Sequence, residues 1–293
     1  MSTNEKISDY ITFPRTFEKY AWYKPLMVFI LASIIMFIIG EALVLSTALL
    51  FGVDFTRFLL GGGINGLNSA LPVLFADLII MLFIPALYIS SKIVRDRPFS
   101  SYSSSRGGWN FKLYLKALII PLVLYLIYQG IDTLINGGGN GTFQFSIVFL
   151  FVIIIAIPIQ SIAEEYLFRG ILMQTLGSWF KIPVLAIVIQ AVIFALVHGY
   201  NSFGFLETMT TGLIYGFFAW KTNGIEVSSA FHTANNMCVG IFVMLGLHTS
   251  TSSPQLTSVL PVIVFEILLC ILLYYVGNKT NWFGEIPENT QNV

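Results

Sequence analysis

The sequence predicts an all-α polytopic transmembrane bundle of about eight spans. Three observations carry that expectation. Of the 293 residues 56% are hydrophobic and 10% charged, against about 25% charged in a soluble domain. The charges gather in short stretches between long apolar runs, as a bilayer demands, because a charge at its centre costs roughly 3 kcal/mol or more. Finally, the basic residues sort to one side of the runs.

A span needs roughly 20 apolar residues at 1.5 Å per residue. The candidates are Leu26–Leu50, Leu71–Ser90, Leu113–Gly130, Ser146–Leu176, Pro183–Gly199, Phe203–Trp220, Val227–Gly246 and Val259–Val276. Turn residues punctuate them at Gly61-Gly62-Gly63, Ser100–Gly108, Gly137-Gly138-Gly139 and Thr249–Pro254. With the N-terminus inside, Arg57 is the one basic residue of 15 assigned to an outer loop. The positive-inside rule therefore predicts both termini in the cytoplasm. It divides the chain into a cytoplasmic segment 1–25, three N-terminal spans in 26–145, core spans in 146–246, and a last span and tail in 247–293. Residues 1–25 lack the apolar core of a cleavable signal, and the first apolar run is too long to be one.

A net charge of zero gives no support to nucleic-acid binding. Cys238 and Cys270 both lie in apolar runs and read as buried small side chains rather than a disulfide framework. The two halves show no mirrored hydropathy, which counts against an inverted-repeat transporter.

The polar residues inside spans concentrate in the second half. Glu164 and Glu165 are adjacent and about 100° apart on the helix, so they face different neighbours. Glu165 and Arg169 are four apart and predict a salt bridge that braces the helix. Glu164 is left without a local partner, and a poorly hydrated carboxylate suits general-base work. His198 ends the fifth span. His232 and Asn236 share a face of the seventh, and both can donate hydrogen bonds, as an oxyanion hole requires. Asn235 points elsewhere and is expected to pair with a neighbouring helix. His248, near an outer loop, is expected to be solvated.

Depth is the difficulty. Glu164 lies roughly 27 Å from the outer end of its span, His198 roughly 22 Å from the inner end of the next, and His232 roughly 9 Å from the inner end of its own. A fourth helix stopping at Arg169 would hold Glu164 and His198 in opposite leaflets. One that runs on to about Leu176, or is tilted, with a kink at Pro158, would bring them together.

These three segments resemble the CAAX protease and bacteriocin-processing family of intramembrane peptidases. The family's Glu-Glu-x-x-x-Arg, Phe-x-x-x-His and His-x-x-x-Asn motifs read here as Glu164-Glu165 with Arg169, Phe194 with His198, and His232 with Asn236. The resemblance covers roughly Ser146 to Gly246. It implies a polar cavity formed mainly by spans four to seven. It implies that Glu164 activates a water, that His198 assists, and that His232 and Asn236 stabilise the oxyanion, with Glu165 and Arg169 in support. The implied substrate is a membrane-associated protein or peptide, of CAAX, leader-peptide or pheromone type, at a bacterial cell membrane. The family has been described both as metal-dependent and as metal-free. Glu164, His198 and His232 could supply three zinc ligands, but no HExxH spacing is present and the metal-free mechanism is the preferred reading. Two other readings stay open. One is a non-catalytic scaffold or bacteriocin-immunity protein that binds a membrane partner. The other is an ion-coupled transporter using Glu41, Asp77, Glu207 and Glu266.

Overall fold

The computed structural model describes residues 10–51, 70–139, 141–248 and 253–283. Lys6, Arg57, the Gly61-Gly62-Gly63 turn and most of the Thr249–Pro254 turn lie outside them. Each predicted span contains a helix. These are α1 (Lys24–Phe51), α2 (Ala70–Met81) running through Leu82 into α3 (Phe83–Val94), α4 (Phe111–Asn136), α5 (Ile147–Phe180), α6 (Pro183–Val197), α7 (Ser202–Lys221), α8 (Glu226–Met244) and α9 (Leu256–Lys279).

Five of these rods are long and apolar enough to cross a membrane: Lys24–Thr47, Val73–Val94, Phe111–Asn136, Ile147–Phe180 and Leu256–Lys279. The remaining three of the expected spans are shorter or more polar helices. Helix α6, with 15 residues, is roughly 22 Å long and short of the hydrocarbon thickness. Helices α7 and α8 carry polar residues along their lengths. Large apolar side chains such as Phe37, Leu134, Ile147 and Leu268 face outward, whereas Glu165, Arg169, Gln190 and Glu266 are buried inside. This chain is an integral membrane protein, with polar residues turned to the interior of the bundle.

Local chemistry sets the helix starts. Asn110, Ser146 and Asn201 cap α4, α5 and α7, their side-chain oxygens accepting from the amides of Leu113, Phe149 and Gly204 at 3.0, 3.1 and 2.9 Å. Pro183 opens α6, where its missing N–H costs nothing. Helix α4 packs along α8, α6 along α7, and α1 along α3.

Helix α5 departs from regular winding twice. It widens to π geometry over Val152–Ala156, just before Pro158, and again over Tyr166–Met173, just after the two glutamates. Proline lacks the N–H that would bond four residues back, and a π turn is one way a helix absorbs that loss. The predicted kink at Pro158 is thus a local widening.

On one side of the bundle, chain segments outside the spans brace α5 and α8. Ile11 packs where a side chain on Gly177 would stand, 2.0 Å from the position of its Cβ. The Tyr10 hydroxyl donates to the Tyr102 carbonyl. Arg106 pairs with buried Glu226 at 2.9 Å, and the Asn110 amide donates to the same carboxylate at 3.0 Å. Ser105 and Ile225 exchange backbone hydrogen bonds with Asn223 and Ser103 at 3.0 and 2.9 Å. These bonds hold the start of α8, less than two turns before His232.

Candidate active site

The length of α5 resolves the depth difficulty. It runs to Phe180, beyond the expected end at Leu176. Counted from the tight turn at 181–182, Glu164 stands roughly 24 Å up α5 and His198 roughly 22 Å up α6. The two helices are antiparallel neighbours, so the two residues come to matching heights. Phe168 of α5 and Phe194 of α6 meet edge to face at 4.9 Å between ring centroids just beneath them.

Glu164, His198, His232 and Asn236 all line one cavity of about 530 Å³. The four are contributed by three helices. Glu165 and Arg169, one turn apart, form a fully buried ion pair at 2.8 Å. The other arm of Arg169 donates to the Gly212 carbonyl of α7 at 3.2 Å. Its guanidinium lies over the rings of Phe194 and Tyr215, at 4.5 and 5.1 Å from their centroids. Gly212 permits this approach, since a Cβ there would stand 3.1 Å from the Ala191 backbone of α6.

His232 bridges the two carboxylates that were expected to face different neighbours. Its Nδ1 stands 3.0 Å from Glu165 Oε1 and its Nε2 3.6 Å from Glu164 Oε2. The imidazole reaches both because it arrives from α8, across the groove between them. Its ring stacks on Tyr215 at 5.0 Å and meets Phe194 edge to face at 6.0 Å.

Glu164 does have a local partner, which corrects the sequence expectation. Gln160, one turn earlier on α5, donates its amide to Glu164 Oε1 at 2.6 Å. Its own oxygen accepts from Asn236 at 3.4 Å, a loose contact shared with the Ser161 hydroxyl at 3.4 Å. Gln160 was missed as a site residue, although a polar side chain four positions before Glu164 in an apolar run was a readable signal. Asn235 is also corrected. It lines the cavity, and its amide donates at 3.3 Å to Asn236 rather than to another helix.

His198 Nδ1 stands 2.6 Å from the Phe194 carbonyl one turn back. A carbonyl can only accept, so Nδ1 carries the proton and neutral His198 presents Nε2 as an acceptor. His248 is half-buried and lines the same cavity, so it is not simply solvated. Glu207 and Glu266 line the cavity too, whereas Glu41 and Asp77 do not. Tyr215, wholly buried, is a further lining residue that sequence reasoning missed; an aromatic residue in an apolar helix gives no signal of its facing.

Glu164, His198 and His232 were the candidate metal ligands. Among the described residues no group of three or more His, Cys, Asp or Glu side chains is placed to hold a metal ion. The donor set as arranged does not fit a three-ligand zinc site, whose ligands must converge at about 2.0–2.2 Å.

Residues 144–238 match the family described as Rce1-like, type II CAAX prenyl endopeptidase. The matched stretch contains all three motifs. The chain is also 29% identical over 189 residues to YyaK, an uncharacterized protein of Bacillus subtilis strain 168. That alignment covers 60% of this chain and 63% of YyaK, so the chain spans less than two thirds of the relative's length. No solved structure gives a significant match.

Proposed function

We propose that the chain is an intramembrane endopeptidase of the Rce1-like, type II CAAX prenyl endopeptidase kind that residues 144–238 match, using a glutamate-activated water. The observation that carries this reading is the convergence of Glu164, His198, His232 and Asn236 on one cavity inside an apolar bundle.

In the proposed reaction Glu164 takes a proton from a water held between it and the Nε2 of His198. The water oxygen bonds to the scissile carbonyl carbon, and negative charge moves to the carbonyl oxygen. The Asn236 amide donates to that oxyanion, joined by His232 Nε2 when the imidazole is doubly protonated. Glu165 holds His232 by its other nitrogen. Glu164 then returns its proton to the leaving nitrogen as the C–N bond breaks, releasing an amine and a carboxylic acid. No step passes through a metal, and we propose metal-free hydrolysis.

The substrate in this reading is a membrane-associated protein or peptide, whose scissile bond reaches the cavity without leaving the bilayer. The sorting of basic residues supports both termini in the cytoplasm, and the family resemblance and short loops support a bacterial cell membrane. The test is Glu164→Gln in the purified full chain, with cleavage followed on membrane-peptide substrates identified by comparing wild-type and variant cells. Loss of a general base lowers kcat by roughly 10²–10⁴-fold, with insertion and folding unchanged. Full activity in Glu164→Gln and in His198→Ala would sink the assignment. A cellular phenotype that survives Glu164→Gln would favour a non-catalytic scaffold.

A further inference from the structure

The cavity extends past the proposed catalytic residues, and its far half has its own chemistry. Glu266 of α9 is almost wholly buried, at 2% exposure. Both its oxygens accept hydrogen bonds, from Tyr125 at 2.8 Å and from Thr211 at 2.7 Å. Glu207 lies one turn from Thr211 on α7, and Asp132 of α4 completes the acidic wall.

Among the described residues no lysine or arginine lines the cavity. Among the described residues no lysine, arginine or histidine stands within ion-pair distance of Glu266 or Glu207. A carboxyl group buried in an apolar bundle stays neutral until it meets a cation, because the desolvation of an isolated charge is so unfavourable. The Tyr215 hydroxyl adds an independent sign. Tyr215 is wholly buried, lines the same cavity, and its hydroxyl has no hydrogen-bond partner among the described residues. Buried hydroxyls are nearly always satisfied. Tyr128 and Tyr200 present two more aromatic side chains to the same space.

We propose that this half of the cavity is a subsite for a cationic group of the substrate, a lysine or arginine side chain or a free amine. The proposal rests on the peptidase reading and names its substrate class. Placement gives the register. Gly212 accepts from Arg169 beside Glu165, and the adjacent Thr211 binds Glu266, so the subsite begins at the height of the catalytic residues. Neighbouring helix axes lie roughly 8–10 Å apart. At about 3.3 Å per extended residue, the cation falls roughly three residues from the scissile bond.

The experiment uses the purified full chain in lipid nanodiscs. Matched peptides carry lysine, norleucine or glutamate at each position around the cleaved bond. The lysine peptide is expected to be cleaved with kcat/KM roughly tenfold or more above the norleucine peptide at one position near the third residue, with the glutamate peptide poorest. Glu207→Gln and Glu266→Gln reduce that ratio towards one, and Glu207→Lys turns the preference towards glutamate. Glu207 is half-buried, so its variants keep the test decisive should Glu266→Gln fail to fold. Binding of the same peptides to Glu164→Gln is measured in parallel, which separates the two proposals. Preferential binding of the lysine peptide, lost on adding Glu207→Gln, supports the subsite even if no peptide is cleaved. Equal cleavage and equal binding of the three peptides at every position would overturn it.

Discussion

Nδ1 of His232 stands 3.0 Å from Oε1 of Glu165, the same oxygen that receives Arg169 at 2.8 Å. One buried carboxylate oxygen therefore serves a helix brace and a proposed catalytic imidazole at once. Glu165 acts through His232 and is a positioning residue in this scheme. Glu164, next to it in sequence, faces the cavity, with its side chain 13% exposed against 0% for Glu165.

Removing one partner of the buried pair leaves the other charge uncompensated. Arg169→Met is expected to destabilise the folded chain by about 3–5 kcal/mol. Glu165→Gln with Arg169→Met should recover a substantial part, because neither charge is then left alone. Denaturation in mixed micelles measures both, and a double variant no more stable than Arg169→Met would contradict the pairing. The double variant should still cleave poorly, since His232 has lost its carboxylate.

Gln160 joins the proposed base to the proposed oxyanion donor. Gln160→Leu keeps the bulk and removes both hydrogen bonds, and is expected to lower kcat roughly tenfold, equivalent to about 1.4 kcal/mol. Asn236→Ala should cost more, roughly 10²–10³-fold in kcat with little change in KM, because that contact strengthens in the transition state. A rise in KM at constant kcat would assign either residue to substrate binding instead.

Metal-free hydrolysis predicts that chelation followed by desalting leaves cleavage unchanged. Elemental analysis should find well under one transition-metal ion per active chain. Loss of activity on chelation with recovery on adding zinc would overturn the metal-free reading.

Burial pushes the His248 imidazole below its ordinary 6.5, with Asp132 opposing. The unfolded chain then binds this proton more readily than the folded one, so stability is retained above pH 6.5 and falls as the pH drops below it. His248→Gln should flatten that part of the melting-temperature profile. Identical profiles for wild type and variant between about pH 8 and 5 would show that the site does not titrate in this way.

The sequence by itself determined which stretches become helices and which residues make up the three motifs. Apolar length is a local property, and regular winding makes Glu165–Arg169 and His232–Asn236 neighbours wherever the helices go. The three motifs were readable for the same reason, since each is a spacing along one helix.

Only the tertiary structure decided what meets across helices. His232 joining two carboxylates that diverge by 100°, and Glu164 level with His198, depend on how far α5 extends and where α8 crosses it. The orientation of Tyr215 towards the cavity, and the gathering of Glu207 and Glu266 at its far end, are likewise set by packing. A linear pattern records the face a residue occupies on its own helix, but not the neighbour that face is turned towards. That choice is made by the close approach of α6 and α7 at Gly212 and by the loop contacts that hold the start of α8.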